Sequence, residues 1–254
     1  MNQQGMNQQG MNQQGIDQHI IAVGGGGFLT ESEPGIDQYL LDQARLVSKN
    51  ESPKIGFIAT ASGDKATHIE RFYNRFSALD CVPSHLALFR RTDSVSEWID
   101  AQDIIFVGGG NTKSMLAVWD TWDLDTHLRA ALVKGTILSG ISAGAICWFD
   151  TGVTDSWSSG LAPLDCLGFL PGSCCPHYSL DRERQPAYQR MIIDGGIAPG
   201  VAIDDGACLH FINGQAKYIV SGHRGASAYY VSKATNGISE VVVADVETID
   251  VSSS

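Results

Sequence analysis

Thr136-Ile137-Leu138-Ser139 runs directly into Gly140-Ile141-Ser142-Ala143-Gly144, a short apolar run closed by a G-x-S-x-G pentapeptide. The first four residues predict a buried strand, and the small residues around Ser142 are what a tight strand-to-helix turn requires. Such a turn lifts the hydroxyl above the sheet edge and sets the next N–H at the start of a helix. There the N–H and the helix dipole favour a developing negative charge. A tight turn with an incidental serine would give the same five letters; the strand in front of it is the context that the functional reading demands.

Working outward, the same rhythm repeats. Asp103-Ile104-Ile105-Phe106-Val107 predicts a strand ending in Gly108-Gly109-Gly110-Asn111-Thr112, and a helix around Leu128–Val133 leads back into the Ser142 strand. His19-Ile20-Ile21-Ala22-Val23 and Lys54-Ile55-Gly56-Phe57-Ile58-Ala59 predict two more strands, and His85 to Phe89 a further one. Between them, Ile36, Leu40, Leu41, Ala44 and Val47 fall on one helical face, as do Ile69, Phe72, Tyr73, Phe76 and Leu79. Thr67 and Glu70 have the spacing of a capping box at the start of the second helix. Continuous apolar strands separated by helices predict a parallel sheet covered on both faces.

After Gly160 the helices thin out. One is expected near Pro186–Ile193, and Val201–Ile203, Cys208–Ile212, Ala216–Val220, Tyr229–Val231 and Glu240–Val246 read as strands joined by short turns such as Asn213-Gly214. They predict an antiparallel C-terminal extension of the same sheet. No Pro-, Ser- or charge-rich linker divides the chain. Residues 1–15, three copies of Met-Asn-Gln-Gln-Gly, cannot form a packed core and are set apart as a leader or tag. Residues 16–254 are expected to form one domain.

Composition narrows the classes. The chain has 254 residues, 43% of them hydrophobic and 18% charged, enough for one large domain burying about 70–75% of its unfolded surface. Seventeen basic against 28 acidic residues give a formal charge of −11, a field that repels a phosphate backbone and argues against nucleic-acid binding. No apolar run approaches the roughly 20 residues that span a bilayer, so no membrane partner is expected. The six cysteines make neither a C-x-x-C pair nor a zinc-finger spacing. With no secretory h-region at the start, they predict reduced thiols in a cytoplasmic protein.

Ser142 as a nucleophile needs a base, and the base needs a carboxylate to orient it. Of the seven histidines, His19 and His85 fall in predicted strands, His68 and His127 on helices, and His210 in an apolar strand as a satisfied core residue. His177, in Cys175-Pro176-His177-Tyr178, and His223, in Ser221-Gly222-His223-Arg224, both lie in loops, and residue chemistry alone does not choose between them. For the acid, Asp205 in Ile203-Asp204-Asp205-Gly206 follows a strand, and Asp155 lies in the loop after the Ser142 helix. Gly110 offers an N–H as a second oxyanion donor beside Ala143, and Asn111 can cap the next helix. Gly24–Gly27 is not a dinucleotide fingerprint: a G-x-G-x-x-G begun at Gly24 needs glycine where Leu29 stands, and no P-loop lysine follows. Arg182 and Arg184, just beyond His177, could hold a substrate carboxylate, although surface arginines usually have solvated or salt-bridged roles.

Gly108-Gly109-Gly110-Asn111-Thr112, Gly140-Ile141-Ser142-Ala143-Gly144-Ala145, Pro176-His177-Tyr178 and Ala202-Ile203-Asp204-Asp205 together, in order across residues 19–220, resemble the dipeptidase E and cyanophycinase family of serine peptidases. The resemblance implies a single-domain, three-layer α/β sandwich with a mainly parallel sheet, like flavodoxin and the class I glutamine amidotransferases. It implies Ser142 as nucleophile, His177 rather than His223 as base, and Gly110 and Ala143 as oxyanion donors. Members often read Asp-Glu where this chain has Asp204-Asp205, so Asp205 is the expected acid with a shorter arm, and Asp155 the reserve. Asn111, Arg182 and Arg184 are the expected substrate-binding residues.

The implied activity is hydrolysis of short peptides with an aspartyl preference, through an acyl-enzyme and without metal or organic cofactor. The stretch from His177 to Arg184 is loosely similar to the arginine-bearing segment of the branch that degrades the Asp–Arg polymer cyanophycin, a second reading of the substrate. Two further readings stand beside these: an α/β-hydrolase-type esterase using Ser142, Asp205 and His223, and a non-catalytic binding protein on the same fold. A glutamine amidotransferase would carry cysteine where Ser142 stands. The expected partner is a small peptide; the oligomeric state is left open, a homodimer included.

Overall fold

Apolar runs that alternate between two buried faces set the architecture. The computed structural model describes residues 15–92, 94–180, 182–235 and 237–252, so the N-terminal repeat, apart from Gly15, lies outside the described residues. In chain order the elements are β1 (His19–Val23), α1 (Pro34–Ser48), β2 (Lys54–Ile58), α2 (Ala66–Phe76), β3 (Val82–Leu86), α3 (Val95–Asp100) and β4 (Ile104–Val107). Next come α4 (Thr112–Thr121), α5 (Leu124–Lys134), β5 (Ile137–Ile141), α6 (Ala143–Ile146), β6 (Phe149–Thr154), β7 (Ala162–Asp165) and β8 (Leu170–Cys175). The last are α7 (Arg184–Ile193), β9 (Gly200–Ile203), β10 (Ala207–Ile212), β11 (Gln215–Ser221), β12 (Ala228–Ala234), β13 (Gly237–Val242) and β14 (Glu247–Asp250).

The larger sheet has the order β14-β11-β10-β1-β5-β4-β2-β3. Its β1, β5, β4, β2 and β3 are mutually parallel, and β10 and β11 continue it antiparallel. Side chains alternate between two cores, as strand geometry requires. Ile21, Val23, Ile104 and Phe106 join the core under α1 and α2, while Ile20, Ala22, Ile105 and Val107 join the core under α3, α4 and α5. Phe28, Phe57, Phe72 and Phe76 form an aromatic block in the first core, with Phe57 and Phe72 stacked at 5.0 Å between ring centroids.

Three expectations change on the structure. Val201–Ile203, Tyr229–Val231 and the first part of Glu240–Val246 do not extend the first sheet. They enter a second sheet of order β13-β12-β9-β8-β6-β7, because β9 returns from α7 to pair in parallel with β8. Its strands β6, β7 and β8 carry no strong strand pattern: Gly152, Pro163, Gly172 and the adjacent free thiols of Cys174 and Cys175 interrupt it, and tertiary packing overrides propensity there. The strand expected at His85–Phe89 lies three residues earlier; Pro83 is accommodated because β3 is the sheet's edge. The Thr67–Glu70 box does not form, since α2 begins at Ala66 with Lys65 at its N-cap and no side-chain capping bond.

His210 is a satisfied core histidine, fully buried, with Nε2 2.9 Å from His19 Nδ1 and Nδ1 2.7 Å from the Tyr39 hydroxyl. Burial, aided by His19, pushes its pKa down to about 3. Two predictions follow from this packing. Phe72→Ala, which empties the centre of the aromatic block, should cost about 3–5 kcal/mol in urea unfolding. A histidine held neutral in the folded state contributes stability fully above its unfolded pKa near 6.5, and that contribution is lost as pH falls toward the folded value. Asp37, pushed up to about 6 by burial against the pull of Arg75, titrates with the opposite sign, so the comparison has to be with a variant. The stability advantage of the wild type over His210→Gln should shrink steadily between pH 6.5 and pH 4, measured by urea unfolding; a constant gap would contradict it.

Candidate active site

Ser142 stands at the turn between β5 and α6 with φ 56° and ψ −111°, a region that non-glycine residues occupy only when the surroundings force it. The forcing is visible. A Cβ on Gly144 would overlap the Val107 carbonyl of β4, so only glycine lets the elbow close against the neighbouring strand. The Ser142 N–H donates to the Val23 carbonyl at 3.2 Å. Gly109 packs against the elbow, its Cβ position 3.2 Å from the Ser142 Cβ, so the Gly108–Gly110 turn after β4 and the serine lie side by side at the carboxyl ends of the strands, where α/β sheets bind ligands.

His177 follows β8, also with positive φ, 55°. Its N–H donates to the Gly24 carbonyl at 3.3 Å, and the Tyr178 N–H donates to the Ile203 carbonyl at 3.2 Å. Asp205 follows β9 and bridges to Gly25; the Gly206 N–H donates to the Gly25 carbonyl at 2.9 Å. The imidazole Nδ1 and the Asp205 Oδ1 are 2.7 Å apart, with about a quarter of each side chain exposed. With Nδ1–H donating to the carboxylate, Nε2 is left as the proton acceptor. A Cβ on Gly25 would overlap Asp205 Oδ1 and lie 2.9 Å from His177 Nδ1. The dyad therefore occupies the space that a side chain at residue 25 would take.

The remaining expected residues separate. The carboxylate bonded to His177 is Asp205. Asp155 is exposed in the loop after β6, next to Ser156, whose carbonyl accepts from Asn111 Nδ2 at 2.8 Å and whose hydroxyl accepts from the Thr112 N–H at 2.9 Å. Asn111 also accepts from the Ser114 N–H at 2.8 Å as the N-cap of α4. Its amide is thus engaged at both ends in holding the Gly110 turn. His223 is exposed, its ring lying against the Cα of Gly206. Arg184 is 9% exposed at the first residue of α7, while Arg182 is exposed in the preceding turn. Cys147 and Cys174 are fully buried, and burial pushes both thiols well up, which leaves them poor nucleophiles.

A cleft of about 230 Å³ adjoins the dyad, lined by Ser179, Asp204, Asp205, His223, Ala226 and Tyr229. Asp204 turns away from His177 and accepts from Ser179 Oγ, from the Ser227 N–H at 3.1 Å and from the Tyr229 hydroxyl at 3.2 Å. Sequence reasoning gave Asp204 and Ser179 no role. The only available signal was that adjacent residues leaving a strand point to opposite sides, which predicts that two neighbouring aspartates do different things but not which does what.

Residues 20–219 match peptidase family S51. A Bacillus subtilis (strain 168) protein named uncharacterized peptidase YgaJ is 50% identical over 226 residues, covering 88% of this chain and 96% of that one. The fold is similar to the crystal structure of a peptidase from an acI-B1 actinobacterium, with a TM-score of 0.67 and 15% identity over 91% of this chain and 96% of that one. It is also similar to a Listeria monocytogenes protein assigned as a peptidase E, with a TM-score of 0.56 and 16% identity over 79% of this chain and 96% of that one. The chain belongs to peptidase family S51 and is a peptidase. Among the described residues no helix is long and apolar enough to cross a membrane.

Because a side chain at residue 25 would displace the dyad, Gly25→Ala should cut peptidase activity by about 100-fold or more. Its far-ultraviolet circular dichroism should stay that of the wild type. Near-normal activity in the folded variant would show that the dyad tolerates the displacement.

Proposed function

We propose that this chain hydrolyses short peptides, preferring an aspartyl residue, by a Ser142–His177–Asp205 acyl-enzyme mechanism. The observation that carries the reading is the 2.7 Å His177–Asp205 pair, held together with the Ser142 elbow on one three-residue stretch at the end of β1. His177 Nε2 takes the hydroxyl proton as Ser142 Oγ attacks the peptide carbonyl. Asp205, bonded to Nδ1–H, fixes the tautomer and stabilises the imidazolium that forms. The Gly110 and Ala143 N–H groups receive the tetrahedral oxyanion, each contributing about 2.7–4 kcal/mol to the transition state in sites of this kind. Collapse of the intermediate breaks the C–N bond, with the His177 proton passing to the leaving amine. Water, activated by the same imidazole, then releases the acyl group and regenerates Ser142.

The aspartyl preference rests on the resemblance to the dipeptidase E branch and on the family match. A cytoplasmic location is part of the same reading and rests on the cysteine usage.

A panel of free Asp-Xaa dipeptides, neutral dipeptides, N-blocked versions of both and β-linked Asp–Arg dipeptide tests the reading. Turnover is expected on free Asp-Xaa, with Ser142→Ala and His177→Ala each losing at least about 1,000-fold in kcat/KM and Asp205→Asn about 100- to 10,000-fold. Loss should be less than tenfold for His223→Ala. A wild-type preference for β-linked Asp–Arg would move the substrate to the polymer-degrading branch. Indispensable His223 with a dispensable His177 would replace the mechanism with the esterase-type arrangement.

A further inference from the structure

We propose that Asp204 is a positioning residue that holds the His177 base in place by anchoring Ser179. This rests on the reading of His177 as the base. His177 keeps a positive φ, a strained conformation that persists only where neighbours over-determine it. Backbone bonds pin the turn on both sides of the His177 Cα: His177 N–H donates to Gly24 O and Tyr178 N–H to Ile203 O. Farther along, Tyr178 is buried with its hydroxyl bonded to Glu240, and Ser179 adds a second side-chain pin, from its Oγ to Asp204 Oδ1. Ser179 itself is exposed, whereas Asp204 is 4% exposed and is gripped by the Ser227 N–H and the Tyr229 hydroxyl at its other oxygen. The anchor is therefore rigid and the anchored residue is not, and a hydrogen bond to a carboxylate is about twice as strong as one between neutral groups.

The backbone of Asp204 is fixed as well. Its N–H donates to the Ser227 carbonyl at 3.0 Å, its carbonyl accepts from the Ala207 N–H at 3.2 Å, and a Cβ on Gly24 would overlap that carbonyl. One dipeptide thus divides two tasks: Asp205 faces the imidazole, and Asp204 faces the serine two residues beyond it. Asp204 touches no reacting atom and acts only through the turn.

The test uses the full chain and a fluorophosphonate, in which Ser142 Oγ displaces fluoride at phosphorus, so that no peptide need be identified. Inactivation rates are followed from pH 5 to pH 9 for the wild type, Asp204→Asn, Ser179→Ala and the double variant, with thermal melting as the check on folding. The titratable groups around the two turns include Asp204, Asp205, Glu33, His223, Tyr178, Tyr229 and Glu240. Ser179→Ala should slow inactivation at least tenfold with an unchanged apparent pKa, because the charge stays. Asp204→Asn should slow it at least as much and lower the apparent pKa, because the negative charge on the residue adjoining Asp205 is gone. The double variant should be no slower than Asp204→Asn, and Ser179→Thr, which keeps the hydroxyl, should recover most of the rate. Peptide turnover should fall in kcat with KM within threefold. Ser179→Ala at the wild-type rate, or additive losses in the double variant, would overturn the proposal. If Asp204→Asn does not fold, the Ser179→Ala and Ser179→Thr pair decides alone. A wild type that is not labelled at Ser142 would instead remove the nucleophile reading, an outcome distinct from normal labelling that Ser179→Ala leaves unchanged.

Discussion

Three successive carbonyls at the end of the central strand hold the site together. Val23 O accepts from Ser142, Gly24 O from His177 and Gly25 O from Gly206, so three loops separated by up to 64 residues of chain are registered against one another by 3.2, 3.3 and 2.9 Å bonds to adjacent peptide groups. Each bond on its own contributes only about 0.5–1.5 kcal/mol. Their value lies in geometry: consecutive peptides of one strand cannot move independently, so neither can the groups that hang from them. The arrangement requires that residues 24 and 25 have no side chain, because those positions abut Asp204 and the His177–Asp205 pair.

That stretch is only as rigid as the strand behind it. β1 lies between β10 and β5, paired with both, and its five residues are buried on both faces. The strain at Ser142 is borne in the same way. Its positive φ is confined by β1 through Val23, by β4 through the Val107 carbonyl against Gly144, and by the Gly109 turn. A site on loops is thereby given the precision of a site on strands. The His177 loop leaves β8 of the second sheet, and the Asp205 loop runs from β9 of that sheet into β10 of the large one. The β1 terminus is where the two sheets' loops are joined.

What could be read in the sequence follows from where the physics is local. Alternating burial makes β1, β2, β4 and β5 continuous apolar runs, and α1 and α2 show their buried stripes, so the covered parallel sheet was legible from periodicity. The Ser142 turn was legible because a tight strand-to-helix elbow admits few residue types. The second sheet was not, because Gly152, Pro163 and Gly172 erase the strand pattern and the pairing of β6, β7 and β8 is decided by contacts distant in sequence. Residue chemistry also left His177 and His223 equivalent. Both sit in loops, and what distinguishes them is a carboxylate 28 positions away from His177, whose approach depends on the β8–α7–β9 connection.

The choice of an aspartate at position 205 is a further consequence of the same constraint. A shorter acid arm reaches its histidine only if the backbone carrying it comes closer. Here Asp205 bridges directly to Gly25, the residue whose missing side chain makes room for the dyad. The glycines and the short acid are therefore one solution rather than two: the backbone approach that residues 24 and 25 permit is what lets a carboxylate with a single methylene meet the imidazole at 2.7 Å. A longer side chain on the same backbone would have to fold back or displace the imidazole. The candidate site is a set of loops placed by backbone contact, with the side chains completing distances that the backbone has already made short.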